Sequence, residues 1–215
     1  MRSSPVELER PVAVLSGYRA WPAQSVHLAR ELARLTGSPA SFLPVSYTLQ
    51  GRIERARAIA TEEIDRAFDG REIDVVGISM GGLVGRLLCT GRAPVRVGRL
   101  FTLATPHRGA ALAEKIRLDP ASRGMRAGSR FLSELDEAWR RGERPREVVP
   151  YAVTNDTWVG ATRTAPPGGR VLWTGGSRVL SHFTVSVNRA IVTDIALRLR
   201  GEAPLAERGG VPPRD

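Results

Sequence analysis

Gly77-Ile78-Ser79-Met80-Gly81 is the segment of this 215-residue chain whose residue types could do covalent chemistry. A serine with glycine at both second neighbours suits a sharp strand-to-helix turn, where only minimal side chains let the two elements approach. The helix N-terminus beneath such a serine offers free N–H groups to a developing oxyanion. The pentapeptide by itself is a weak signal in a chain with 22 glycines. Its flanks supply the specificity: Ile73-Asp74-Val75-Val76 before it reads as a buried strand, and residues 82–88 after it read as a helix.

A nucleophilic serine needs a base, and the chain has three histidines. His27 falls inside a helical stretch and reads as a surface or half-buried residue. His107 ends a strand, and His182 begins the last helix. Serine hydrolases built on such a turn run serine, acid, histidine in chain order. Residues 80–106 contain no Asp or Glu, so His182 is the base that order selects. The orienting carboxylate must lie just beyond the C-terminal end of a strand, on the serine's rim. Asp156 does so, following a strand expected over 147–154. Asp119, Glu134, Asp136, Glu137, Glu143 and Glu147 fall in a polar insertion or at a strand's start, on the wrong edge. The competing role for Asp156 is to cap the Asn155-Asp156 turn.

The oxyanion would be held by the backbone N–H of Met80 and by one from the loop 16–22, with Tyr18 the favoured donor. Gly17 lets that loop turn tightly; Tyr18 and Trp21 have pocket packing as their alternative role. Clustered metal ligands are missing from the sequence pattern, so neither a metal nor a cofactor is expected.

The elements that would position these groups alternate. Short β-rich runs fall at 11–16, 41–48, 72–79, 97–104, 147–154 and 169–174, and Pro44 places the second of them at a sheet edge. Helical patterns fill 23–36, 51–69, 80–91 and 183–200. Ile53, Ala56, Ala60, Ile64 and Phe68 share one face of the second helix; Val187, Ala190, Ile191, Ile195 and Leu199 share one face of the last. This rhythm predicts an α/β fold: a mostly parallel, doubly wound sheet of about six strands with helices on both faces. One domain is expected over 1–201, with a cap-like polar insertion at 107–146 and a disordered Gly/Pro-rich tail at 202–215.

Bulk properties narrow the setting. The net charge is +10, and every basic residue but Lys115 is Arg. These arginines are spread among acids with no nucleic-acid-binding signature, so no nucleic-acid partner is expected. The charge leaves room for weak attraction to anionic surfaces. No apolar run reaches the length of a membrane span, and no signal-peptide pattern opens the chain. The single cysteine, Cys89, sits in an apolar helical stretch and reads as a core residue. Together these favour a cytoplasmic location.

The chain resembles the lipase and esterase branch of the α/β-hydrolase superfamily. The segments that carry the resemblance are LSGY, VVGISMGGLVGRLL, FTLATPHRGA, DPASRGMRAGSRFLSEL, AVTNDTWV and SHFTV, in family order over about residues 11–200. The resemblance places the family's triad on Ser79, Asp156 and His182 and implies ester cleavage through an acyl-enzyme. The chain departs from many relatives in having Ser16-Gly17 where they have His-Gly. It also lacks the first strands of the full fold and any large apolar lid, so it is similar to the small, lidless members. A small or lipid-like ester is the expected substrate. Thioester hydrolysis or acyl transfer would use the same triad, and a silent binder of hydrophobic ligands is the reading from another class.

Overall fold

The computed structural model describes residues 7–90, 95–116, 118–142, 144–177, 180–206 and 209–212. Its strands are β1 (Val12–Leu15), β2 (Phe42–Val45), β3 (Glu72–Ile78), β4 (Arg96–Leu103), β5 (Glu147–Val153) and β6 (Leu172–Thr174). They form one sheet in the order β2-β1-β3-β4-β5-β6, with every neighbouring pair parallel. Parallel neighbours need crossovers, and helices provide them. α1 (Ala23–Thr36), α2 (Ile53–Phe68) and α3 (Met80–Cys89) make the first three. α4 (Ala111–Lys115), α5 (Pro120–Gly124) and α6 (Arg130–Arg141) lie between β4 and β5, and α7 (Ser181–Thr184) and α8 (Arg189–Leu199) follow β6. All six expected strands form, and β2, which carries Pro44, is an edge strand.

Alternation along the strands divides the core between two faces. Ala13, Leu15, Ile73, Val75 and Leu100 pack with α2 and α3 on one side. Val12, Val14, Val76, Ile78 and Leu103 pack with α1 and α8 on the other. The helices after β1 and β3 therefore leave for opposite faces, although these two strands are neighbours. Such a switch point opens a crevice beyond the strands' C-terminal ends, and that is where open α/β sheets bind ligands.

One sequence expectation needs correction. The last helix does not run unbroken from 183. Asn188 stops it, because its side-chain oxygen accepts the Ile191 N–H at 3.3 Å and starts α8 afresh. The preceding residues form α7 and a 3₁₀ turn at Val185–Val187, which turns Val187 outward to 52% exposure. Ala190 is exposed as well, whereas Ile191, Ile195 and Leu199 keep their buried positions. The cap-like insertion holds three helices among its described residues. α6 buries Leu132, Leu135 and Trp139, spaced three and four residues apart. The fully buried Arg86 of α3 reaches Asp136 at 2.7 Å and lies 5.0 Å from the Trp139 ring centroid.

The opposite, N-terminal edge of the sheet is closed by charge. Asp74 is fully buried; its Oδ1 accepts from Arg10 Nε at 2.9 Å and its Oδ2 from Arg99 Nε at 2.9 Å. Arg99 Nη1 donates onward to the Arg198 carbonyl at the end of α8. Within 202–215, the Leu205 N–H donates to Asp194 at 2.6 Å and Gly210 bridges Val171. Residues 207, 208 and 213–215 of the expected tail lie outside the described residues.

Candidate active site

Ser79 stands between β3 and α3 with φ 51° and ψ −120°, a backbone conformation that costs an L-residue on the order of 1–3 kcal/mol. The surroundings hold it there. Its N–H donates to the Leu103 carbonyl at 2.7 Å, continuing the β3–β4 ladder past the turn. A Cβ on Gly77 would come within 2.5 Å of the Gly81 and Gly82 backbone. One on Gly81 would come within 2.6 Å of the Leu15 carbonyl oxygen. Both glycines are thus required for strand, helix and β1 to meet at this corner. Met80 is the first residue of α3, so its N–H has no intrahelical acceptor.

The loop after β1 faces Ser79 across the switch point. It forms a tight turn in which the Ala20 N–H donates to the Gly17 carbonyl at 3.3 Å. The Gly17 amide is taken by Gln24 Oε1 at 2.9 Å, a side chain in the first turn of α1. The following amide, that of Tyr18, has no acceptor among the described residues. Ser16, which stands where many lipase-like chains have histidine, is buried. Its carbonyl accepts the Tyr47 hydroxyl at 2.6 Å, while its own hydroxyl finds no partner among the described residues.

Asp156 lies three residues beyond β5 and is 1% exposed. Its Oδ1 accepts the N–H groups of Trp158 and Val159, both at 3.0 Å, an Asx-type turn of the kind weighed against the triad role. Its Oδ2 lies 3.0 Å from His182 Nδ1. One carboxylate therefore makes both sets of contacts. Because a carboxylate only accepts, the shared proton belongs on Nδ1, which leaves Nε2 of a neutral imidazole as an acceptor. His182 is anchored through its neighbour, since Ser181 Oγ donates to the Thr154 carbonyl at 3.0 Å. Trp158 stacks on the imidazole at 5.5 Å between centroids, with an interplanar angle of 9°.

Ser79 and His182 line the same cavity, of about 710 Å³, although no direct hydrogen bond joins them. That volume falls within the range of small-molecule sites. Its walls are mainly apolar: Pro106, Leu112, Ile116, Leu118 and Met125 from the insertion side, and Trp21, Phe183 and Val187 opposite. Trp21 is 79% exposed and Leu118 66%, so the rim is apolar too.

The other two histidines part company. His27 is exposed and lines this cavity. His107 is enclosed elsewhere, with Nε2 3.1 Å from Thr102 Oγ1 and Nδ1 without a partner among the described residues. Burial and then the charges of Arg86 and Arg108 hold its pKa well below the ordinary imidazole value. The Cys89 thiol donates to the Gly85 carbonyl, and burial pushes its pKa up to about 12, as fits an inert core thiol. Among the described residues no group of His, Cys, Asp and Glu is placed to hold a metal ion, and no helix is long and apolar enough to cross a membrane.

Gln24, Asp119 and Trp158 are the contributors to the site that sequence reasoning missed. Asp119, set aside as lying on the wrong edge, contacts the first loop: the Tyr18 hydroxyl donates to its Oδ2 at 2.7 Å. The sequence carries a partial signal for it, since Asp119-Pro120-Ala121-Ser122 is a helix-start pattern.

No protein-family model matches the chain, and no curated protein does. Solved structures do match. Lipase BlEst2 of Bacillus licheniformis in its propeptide form superposes at a TM-score of 0.72 with 16% identity, covering 97% of this chain and 54% of that one. The chain thus spans about half of that propeptide-containing protein. The mature form of the same lipase matches at a TM-score of 0.66 with 14% identity and 92% of each chain covered. A putative cell surface hydrolase from Lactobacillus plantarum matches at 0.59 with 16% identity, over 92% of this chain and 94% of that one. The fold is that of the α/β-hydrolases, shared with lipases of known structure. At such identities the likeness concerns architecture.

Proposed function

We propose that this protein is a serine hydrolase that cleaves carboxylic esters through an acyl-enzyme on Ser79. One observation carries the reading. A serine at a strained strand-to-helix turn opens into the same apolar cavity as an imidazole whose far nitrogen is held 3.0 Å from a buried carboxylate. In this reading Ser79 Oγ attacks the ester carbonyl carbon while its proton passes to His182 Nε2. Asp156 fixes the imidazole tautomer and steadies the imidazolium. The Met80 and Tyr18 amides donate hydrogen bonds to the oxyanion, each worth about 3 kcal/mol in the transition state. Collapse expels the alcohol, protonated by His182. Water, deprotonated by His182, then attacks the acyl carbonyl and releases the acid.

The apolar walls and rim support a lipid-like ester in place of a charged one. The 107–146 insertion serves as a partial cover supplying one wall. A reducing, cytoplasmic compartment suits a chain whose single cysteine has no second cysteine to pair with. The test is turnover of p-nitrophenyl esters of increasing acyl length by wild type, Ser79→Ala and His182→Ala. Turnover that rises with acyl length and is lost in both variants is expected; turnover retained in Ser79→Ala refutes the reading.

A further inference from the structure

The turn after β1 contains a residue that its geometry disfavours. Arg19, at the third position of the Gly17–Ala20 turn, has φ 51°, a region where glycine is the relaxed choice. Its side chain explains the choice. Arg19 Nη2 and Nε reach Asp119 Oδ2 at 3.0 and 3.3 Å, one hundred residues along the chain. The Tyr18 hydroxyl donates to the same oxygen at 2.7 Å. Both central residues of the turn are thus tied to one carboxylate oxygen of the insertion. Charge-assisted bonds of this kind are the stronger class.

Asp119 is itself immobilised. Its Oδ1 accepts the Ser122 N–H at 2.9 Å and its own N–H donates to Ser122 Oγ at 3.0 Å, a reciprocal cap on α5. The Ala121 N–H donates to the Gly51 carbonyl at 2.8 Å, which ties the start of α5 to the loop before α2. Asp119 is 11% exposed at its side chain, and burial there is outweighed by these bonds, which lower its pKa. It is therefore a fixed, ionised anchor. The rest of the turn is fixed as well: Gln24 holds the Gly17 amide and Thr48 Oγ1 donates to the Ala20 carbonyl at 2.9 Å. The peptide in the middle, whose amide belongs to Tyr18, is held by the Ala20 N–H on its Gly17 carbonyl and, through the two side chains, by Asp119.

We infer that Asp119 is a positioning residue for the oxyanion hole: through the Tyr18 hydroxyl and the Arg19 guanidinium it aims the Tyr18 N–H at the site beside Ser79. The inference rests on the serine-hydrolase reading above. It gives the insertion a part in transition-state stabilisation, beyond supplying a wall of the cavity. An amide that meets charge only in the transition state affects kcat, with little effect on ground-state binding.

The experiment compares wild type, Tyr18→Phe, Asp119→Ala and the double variant. It reads kcat and KM on a p-nitrophenyl ester and the rate of fluorophosphonate labelling, with thermal melting as the fold control. Tyr18→Phe keeps ring and amide and removes one hydroxyl, so it carries the test even where Asp119→Ala unfolds. Each single variant is expected to lose roughly tenfold to a hundredfold in kcat and in labelling rate at nearly unchanged KM. The double variant is expected to be no slower than Asp119→Ala, because both changes cut one connection. Wild-type kcat in Tyr18→Phe, a loss confined to KM, or effects that multiply in the double variant would overturn the inference. A wild type that never reacts at Ser79 removes the hydrolase reading and this inference together. Variants that label at the rate of a reactive wild type remove this inference alone.

Discussion

The two ends of the sheet each bury a carboxylate at the centre of a polar network, and they use it in opposite ways. At the N-terminal edge Asp74 meets two arginines, and these bonds tie β3, β4, the segment before β1 and the end of α8 together. At the C-terminal rim Asp156 meets two backbone amides and one imidazole. That imidazole lines an apolar cavity together with Tyr18, whose amide has no acceptor among the described residues, and a strained serine. The first carboxylate is neutralised inside the protein. The second leaves polar groups facing a space that a ligand must fill. Charge satisfied within the fold marks structure, and polar capacity left over in an apolar cavity marks chemistry.

Breaking the rim should cost activity and spare the fold. Ser79→Ala, His182→Ala and Asp156→Asn are each expected to lower ester turnover by roughly 10³ or more, measured as kcat/KM, with melting temperature nearly unchanged in the first two. Breaking the opposite edge should do the reverse. Asp74→Ala leaves the Arg10 and Arg99 charges buried without their partner and is expected to cost about 3–5 kcal/mol in urea denaturation. The turnover per folded molecule should stay close to wild type. Between these extremes lies Gly81→Ala, which presses a methyl group onto the β1 carbonyls and should lower both stability and turnover.

The smallest expected effect is a pH slope. His107 is held neutral in the fold, first by burial and then by Arg86 and Arg108, while its unfolded form titrates near 6.5. As pH falls below about 6.5 the unfolded chain takes up a proton that the folded chain refuses, so stability declines. Melting temperature should drop between pH 7 and pH 5, and His107→Gln should flatten that part of the profile.

Much of the rim is legible in the sequence because its constraints are local. Gly77 and Gly81 announce a turn in which no Cβ fits, and the acid-free stretch 80–106 leaves His182 to share the cavity with Ser79. The strand runs are readable because parallel strands covered on both faces must be apolar on both. Other features depend on partners that a linear reading does not supply. Asp119 reaches Tyr18 and Arg19 only after the insertion folds back across one hundred residues, so a helix cap is all that its neighbours reveal. Trp158 meets His182 because the segments that follow β5 and β6 come together on one rim. The break at Asn188 turns on a single side-chain oxygen competing for a backbone amide, a contest that periodicity cannot register. In α6 the spacing of Leu132, Leu135 and Trp139 was in the sequence, masked by the charged residues around it.

A fluorophosphonate probe tests most directly whether the strained serine of the rim is a nucleophile. The probe is incubated with folded wild type and with Ser79→Ala, and the labelled peptide is mapped by mass spectrometry. Stoichiometric modification of Ser79 in wild type, with none in the variant, is the predicted result. A folded wild type that stays unlabelled, or a label that maps to another residue and persists in Ser79→Ala, would contradict it.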